Sequence, residues 1–76
     1  MFTIVAINRE DKHTEYYEVG ENFSVWEADN ENMNEYKEKF PGVLSFIVGT
    51  NMVMPVLKEF TYDVLNSKGA VVKTLY

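Results

Sequence analysis

The stretch FSVWEADNENMNEYKEKFPGVLSFIV, Phe23 to Val48, decides the fold. It opens on Phe23-Ser24-Val25-Trp26-Glu27-Ala28, β-prone residues in which Trp26 and Ala28 fall on one face of an extended chain, the face expected to be buried. Asp29 or Asn30 then offers a short side-chain oxygen that can cap the free N–H groups of a helix. From there to about Phe40, the residues Met33, Tyr36 and Phe40 recur at helical spacing and form one apolar stripe. Pro41-Gly42 stops the helix. Val43 to Val48 is a short, nearly unbroken apolar run, the pattern of a strand covered on both faces and central in its sheet. Ser24 followed three residues later by Glu27 also fits a capping box that would start the helix earlier. Residues 24–29 therefore admit both readings, and the strand is preferred.

Outward from this stretch, the flanks read as hairpins. On the N-terminal side, Phe2 to Arg9 is β-prone, Glu10-Asp11-Lys12 breaks it, and His13 to Val19 resumes. Gly20-Glu21-Asn22 marks a further turn. On the C-terminal side, Asn51 to Val56 reads as a loop in which Pro55 restricts any strand to an edge. Phe60, Tyr62 and Val64 then alternate with polar residues, Asn66-Ser67-Lys68-Gly69 turns the chain, and Ala70 to Leu75 returns as a strand. The expected fold class is α+β, a single domain over 1–76. Its core is a five- or six-stranded, mostly antiparallel sheet with one helix packed on a face.

Composition narrows the class of function. Seventy-six residues suffice for one thin core, and 46% hydrophobic content marks a folded globule. There is no cysteine, hence no disulfide framework and no thiolate nucleophile. Met1 to Ile7 shows neither a basic leader nor a cleavage site, so a cytoplasmic location is expected. The triplet Asn22-Phe23-Ser24 matches a glycosylation acceptor, which carries no weight without a secretory signal.

Residue types that drive catalysis are scarce. His13 is the one histidine and stands beside a turn, where a solvent-exposed role is expected. None of Ser24, Ser45 or Ser67 lies in a nucleophile elbow. The four glycines are scattered singly, so no phosphate-cradling loop is present. The acids lack the spacing of a calcium loop. The expectation is a protein that is not an enzyme and holds no metal or cofactor.

Charge is the most informative feature. The net charge is −5, and Glu15, Glu18, Glu21, Glu27, Asp29, Glu31 and Glu35 fall between Thr14 and Tyr36 with no Lys or Arg among them. Such a surface repels phosphate backbones and anionic lipid, which argues against direct nucleic-acid or membrane binding and for a protein partner with a basic surface. On a strand, alternate residues stand about 6.7 Å apart, so Glu27 and Asp29, continued by Glu31, suggest a carboxylate row near the spacing of about 7 Å between successive phosphates. Tyr16 and Tyr17 must point to opposite faces of a strand. The expected protein-binding residues are Tyr17, Glu27, Asp29, Glu31 and Glu35, the tyrosine as anchor and the carboxylates for steering. A homodimer built through an open sheet edge, with Val71, Lys73 and Leu75 in the contact, is the alternative.

From Phe23 through Val48, the order of strand, Ala28-Asp29-Asn30-Glu31, short acidic helix, Pro-Gly and strand resembles the layout of small early inhibitor proteins of tailed phages. That resemblance implies a protein that binds and blocks a host enzyme or defence complex.

Overall fold

The computed structural model describes residues 1–75, and Tyr76 lies outside them. Alternation of apolar and polar residues sets the two hairpins. β1 (Phe2–Asn8) pairs antiparallel with β2 (Thr14–Gly20), placing Ile4 opposite Tyr17 and Ala6 opposite Glu15. The Asn8 carboxamide oxygen accepts from the N–H groups of Glu10 and Asp11, and Lys12 takes the left-handed conformation at φ 64° to close the turn. At the other end of the chain, β6 (Phe60–Leu65) pairs with β7 (Val71–Leu75). Asn66 there accepts from the N–H groups of Lys68 and Ala70. β1 and β6 pair antiparallel, giving a four-stranded sheet in the order β2-β1-β6-β7.

Between the hairpins the chain builds a second unit. β3 (Phe23–Glu27) is a strand, as preferred from the sequence. Asn30 caps a 3₁₀ turn over Glu31–Met33 by accepting from the Asn32 N–H, and α1 (Asn34–Lys39) follows directly. β4 (Ser45–Gly49) pairs with β3 on one side and with β5 (Val53–Pro55) on the other. This three-stranded sheet therefore has β4 at its centre and the proline-bearing strand at its edge.

The expectation of one sheet with five or six strands is corrected: the described residues form seven strands in two antiparallel sheets. The physical reason lies at Gly20, whose φ of 101° redirects the chain so that Phe23 pairs with Gly49 and the chain does not fold back on β2. The two sheets touch at that corner. The Thr50 N–H donates to the Val19 carbonyl at 2.7 Å, and the Asn22 N–H donates to the Thr50 hydroxyl at 3.2 Å. A Cβ placed on Gly49 would overlap the Val19 carbonyl oxygen and sit 2.7 Å from the Val19 Cβ, so only glycine fits the crossing. A second link runs through Tyr62, whose hydroxyl accepts from the Leu57 N–H at 2.9 Å and donates to the Pro55 carbonyl at 3.3 Å.

Phe46 and Ile47 show how the layers stack. They are consecutive on β4, so they point to opposite faces, and both are fully buried. Ile47 and Met54 join Ile4, Ala6, Val19, Tyr62 and Val64 of the four-stranded sheet in one core cluster. Phe46 joins Ala28 and Met33 in the other, with Trp26 and Tyr36 against it. The rings of Tyr36 and Phe40 lie 6.2 and 6.3 Å from that of Phe46, which realises the expected Met33, Tyr36, Phe40 stripe. A six-residue helix is unstable alone in water, so this packing is what holds α1 in place. Each fully buried large side chain contributes about 1.5–3 kcal/mol of transfer free energy.

Candidate functional site

β3 stops at Glu27, and the Asn30 N–H closes a turn onto the Glu27 carbonyl at 3.1 Å. Strand alternation therefore ends before Asp29, and Glu27, Asp29 and Glu31 are not a regularly spaced row. Glu27 shares a face of β3 with Phe23 and Val25, the face turned toward the four-stranded sheet, where Phe23 packs against the first core cluster. Glu31 and Glu35 belong to the helical segment that covers the opposite face. The four acids are all exposed. Glu35 makes an exposed pair with Lys39 at 3.8 Å, and Lys39 also stands 5.7 Å from the centre of the Tyr36 ring. A solvent-exposed pair of this kind contributes little to stability.

Tyr17 sits elsewhere. It is half-buried on β2, facing the core side of the four-stranded sheet, and lines a small groove with Met54, Pro55 and Phe60. Burial, reinforced by the neighbouring Glu15 carboxylate, raises its hydroxyl above the ordinary value of 10.0. Its neighbour Tyr16 points to the opposite face and is 71% exposed. Of the residues singled out from the sequence, Glu27 lies on one face of the three-stranded sheet, Glu31 and Glu35 lie on the segment covering its other face, and Tyr17 stands apart on β2.

Leu44 is the residue that sequence reasoning missed. Its place in the apolar run Val43 to Val48 suggests a covered strand, yet β4 begins one residue later and Leu44 is 73% exposed. Its carbonyl accepts from the Ala28 N–H at 2.9 Å, which fixes it beside the residue between Glu27 and Asp29. Leu44 also lines an open groove of about 870 Å³ between the two sheets, along with Val25, Leu57, Leu75 and the charged residues Arg9, Lys58 and Glu59. Phe40, just before Pro41, is exposed as well. Leu44 and Phe40 thus expose apolar surface next to Glu27 and Asp29, an apolar patch with charge beside it of the kind that protein interfaces use. A signal for it did exist in the sequence: Pro41-Gly42 directly before Val43-Leu44 marks where a turn delays the strand.

Among the described residues, no three His, Asp or Glu side chains gather into a metal-binding group. No helix is long and apolar enough to cross a membrane. No protein-family model, curated protein or solved structure matches the chain.

Proposed function

We propose that this chain is a protein-binding module, a small acidic inhibitor or adaptor that acts by contact and not by catalysis. Its partner presents a basic surface with an apolar recess. The observation that carries this reading is Leu44, 73% exposed and fixed by its backbone beside Glu27 and Asp29. Leu44, with Phe40 and Pro41 next to it, supplies the apolar anchor. Glu27, Asp29, Glu31 and Glu35 steer a cationic surface toward it. A net charge of −5 supports the same choice of partner. The likeness in layout to small phage inhibitors points in this direction too, with the basic surface of a host enzyme or defence complex as the target class.

The test has two stages. Affinity capture at low and high salt identifies a salt-sensitive partner, and binding is then measured with that partner purified. Leu44→Ala should weaken affinity by roughly tenfold, equivalent to about 1.4 kcal/mol, mainly through faster dissociation. Charge reversal at Glu27 and Asp29 should slow association and flatten its salt dependence. Leu44 is exposed, so neither set of changes should alter folding. An affinity indifferent to all three substitutions would refute the assignment.

A further inference from the structure

The two outer strands of the four-stranded sheet carry opposite charge. β2 bears Glu15 and Glu18, with Glu21 just beyond its end. β7 bears Lys73, Lys68 lies in the turn before it, and no Asp or Glu occurs from Val64 to Leu75. Each outer strand has one neighbour in its sheet. The last residues of β2 are engaged by Thr50, which leaves Thr14 to Glu18 open. On β7, Val71 and Val72 are 55% and 49% exposed. Folded proteins commonly blunt such edges with proline or by keeping the strand short, as β5 does with three residues ending in Pro55. β7 has neither device.

Strand direction matches the charge. The sheet is antiparallel throughout and has four strands, so β2 and β7 run in opposite directions. A second copy displaced along the row of strands would set its β2 antiparallel to β7 of the first, and the ladder would continue without a change of pairing type. Pairing register places Tyr17, Ile4, Val64 and Lys73 in one row across the sheet, and Glu15, Ala6, Tyr62 and Leu75 in the next. Continued into the next copy, these rows set Lys73 opposite that copy's Tyr17 and one diagonal step from its Glu15, within reach of a lysine side chain. Pairing β7 with β7 would bring lysines together, and pairing β2 with β2 would bring glutamates together. Both are disfavoured.

We propose that copies of this chain associate head to tail, β7 of one pairing with β2 of the next. The contact is heterologous and does not close on itself, so the product is an open ribbon and not a fixed dimer. Strand spacing sets the advance per copy at about 19 Å. Sheet twist sets the rotation per copy at roughly 80–100°. A five-residue edge gives a small interface, so association builds up with concentration and weakens with salt.

Sedimentation velocity from micromolar to millimolar protein, at low and high ionic strength, tests this with wild type and the exposed-site variants Lys73→Glu and Glu15→Lys. The wild-type average mass should rise with concentration at low salt without a plateau at dimer. Each variant alone should remain monomeric, because its altered edge repels the next copy. An equimolar mixture of the two, or both changes in one chain, should regain association, since each altered edge then meets a complementary one. A wild type that stays monomeric at millimolar concentration and low salt would overturn the proposal. So would association that is unaffected by Glu15→Lys, the mark of pairing between two β7 strands. Neither variant touches Leu44, Glu27 or Asp29, so failure here leaves the surface at Leu44 a separate question.

Discussion

Replacing Gly49 with alanine puts a methyl group where the two sheets cross, and the cost can be worked from the surroundings. The added carbon would overlap the Val19 carbonyl oxygen and lie 2.7 Å from the Val19 Cβ and 3.1 Å from its carbonyl carbon. Two of these are backbone atoms, so no side-chain rotation relieves the overlap and β4 must move away from β2. Overpacking of this kind costs about 1–3 kcal/mol. Retreat also stretches the 2.7 Å bond from Thr50 to Val19, a loss of about 0.5–1.5 kcal/mol. Gly49 does not lie in the left-handed region, so alanine recovers about 0.4–1 kcal/mol through a stiffer unfolded chain. The net expectation is a destabilisation of about 2 kcal/mol, within a range of about 0.5–4, against the roughly 4–11 kcal/mol that holds a domain of this length. Urea denaturation followed by tryptophan fluorescence reads it as a lower midpoint with an unchanged slope. Gly42→Ala is the control, because its φ of 89° brings backbone strain while nothing lies within 4 Å of the added carbon. That change should cost about 1–2 kcal/mol. A Gly49→Ala protein within 0.5 kcal/mol of wild type would refute the claim that close approach at this corner joins the sheets.

Other outcomes follow from the same physics. Burial raises the Tyr62 hydroxyl above its ordinary 10.0; the hydrogen bond from the Leu57 N–H opposes this in part, and the charges of Glu59 and Tyr17 add lesser upward contributions. The folded state then keeps a proton that the unfolded state releases, so Tyr62's share of stability is intact below pH 10 and is lost as pH rises above it. Tyr62→Phe should cost about 1–3 kcal/mol at neutral pH by orphaning the Leu57 N–H, and should flatten the alkaline fall in melting temperature. Lys12→Gly relieves the left-handed strain at φ 64° and should raise stability by about 0.5–1 kcal/mol in the same urea titration. Asn30→Ala removes the acceptor for the Asn32 N–H and should cost about 1 kcal/mol, with fraying of the 3₁₀ turn visible in amide exchange.

Local signals in the sequence were sufficient for most elements, but residues 51–56, which read as a loop, contain the edge strand β5, because pairing with β4 supplies the order that the local signal lacks. Alternation along Phe60 to Val64 and the turn residues at Asn66 to Gly69 each describe a segment by its own residues, and each forms as read; the Met33, Tyr36, Phe40 stripe packs as expected, on a helical segment that begins as a 3₁₀ turn and is α-helical only over Asn34–Lys39. Sheet membership is different, because it depends on which distant strand meets which. Gly49 reads as an ordinary turn glycine until Val19 is known to pass against it. The candidate site divides in the same way. The run of acids is plain in the composition, but whether it continues as a strand row depends on where β3 ends, and the exposure of Leu44 depends on a strand that starts at Ser45. Which of Tyr16 and Tyr17 is exposed depends on which face of β2 meets the core, and the alternation of the strand alone does not say.

The placement of the three-stranded sheet has a kinetic consequence. Residues 23–55, which contain it, lie wholly between β2 and β6 in the chain. The two hairpins join neighbouring segments, whereas the β1–β6 ladder pairs Asn8 with Phe60 and Thr3 with Leu65, across more than fifty residues. Closing a flexible loop of that length costs roughly 3.5 kcal/mol in chain entropy. If the inserted unit folds first, much of that closure is already made, because Thr50 then sits against Val19 and the Leu57 N–H is brought toward Tyr62. That route predicts hairpins and insert early, and the seam between β1 and β6 last. Refolding should show one slow phase, on the millisecond-to-second scale of chains dominated by distant pairings. Substitutions at Val5 or Asp63, which face each other across that seam, should speed unfolding far more than they slow folding.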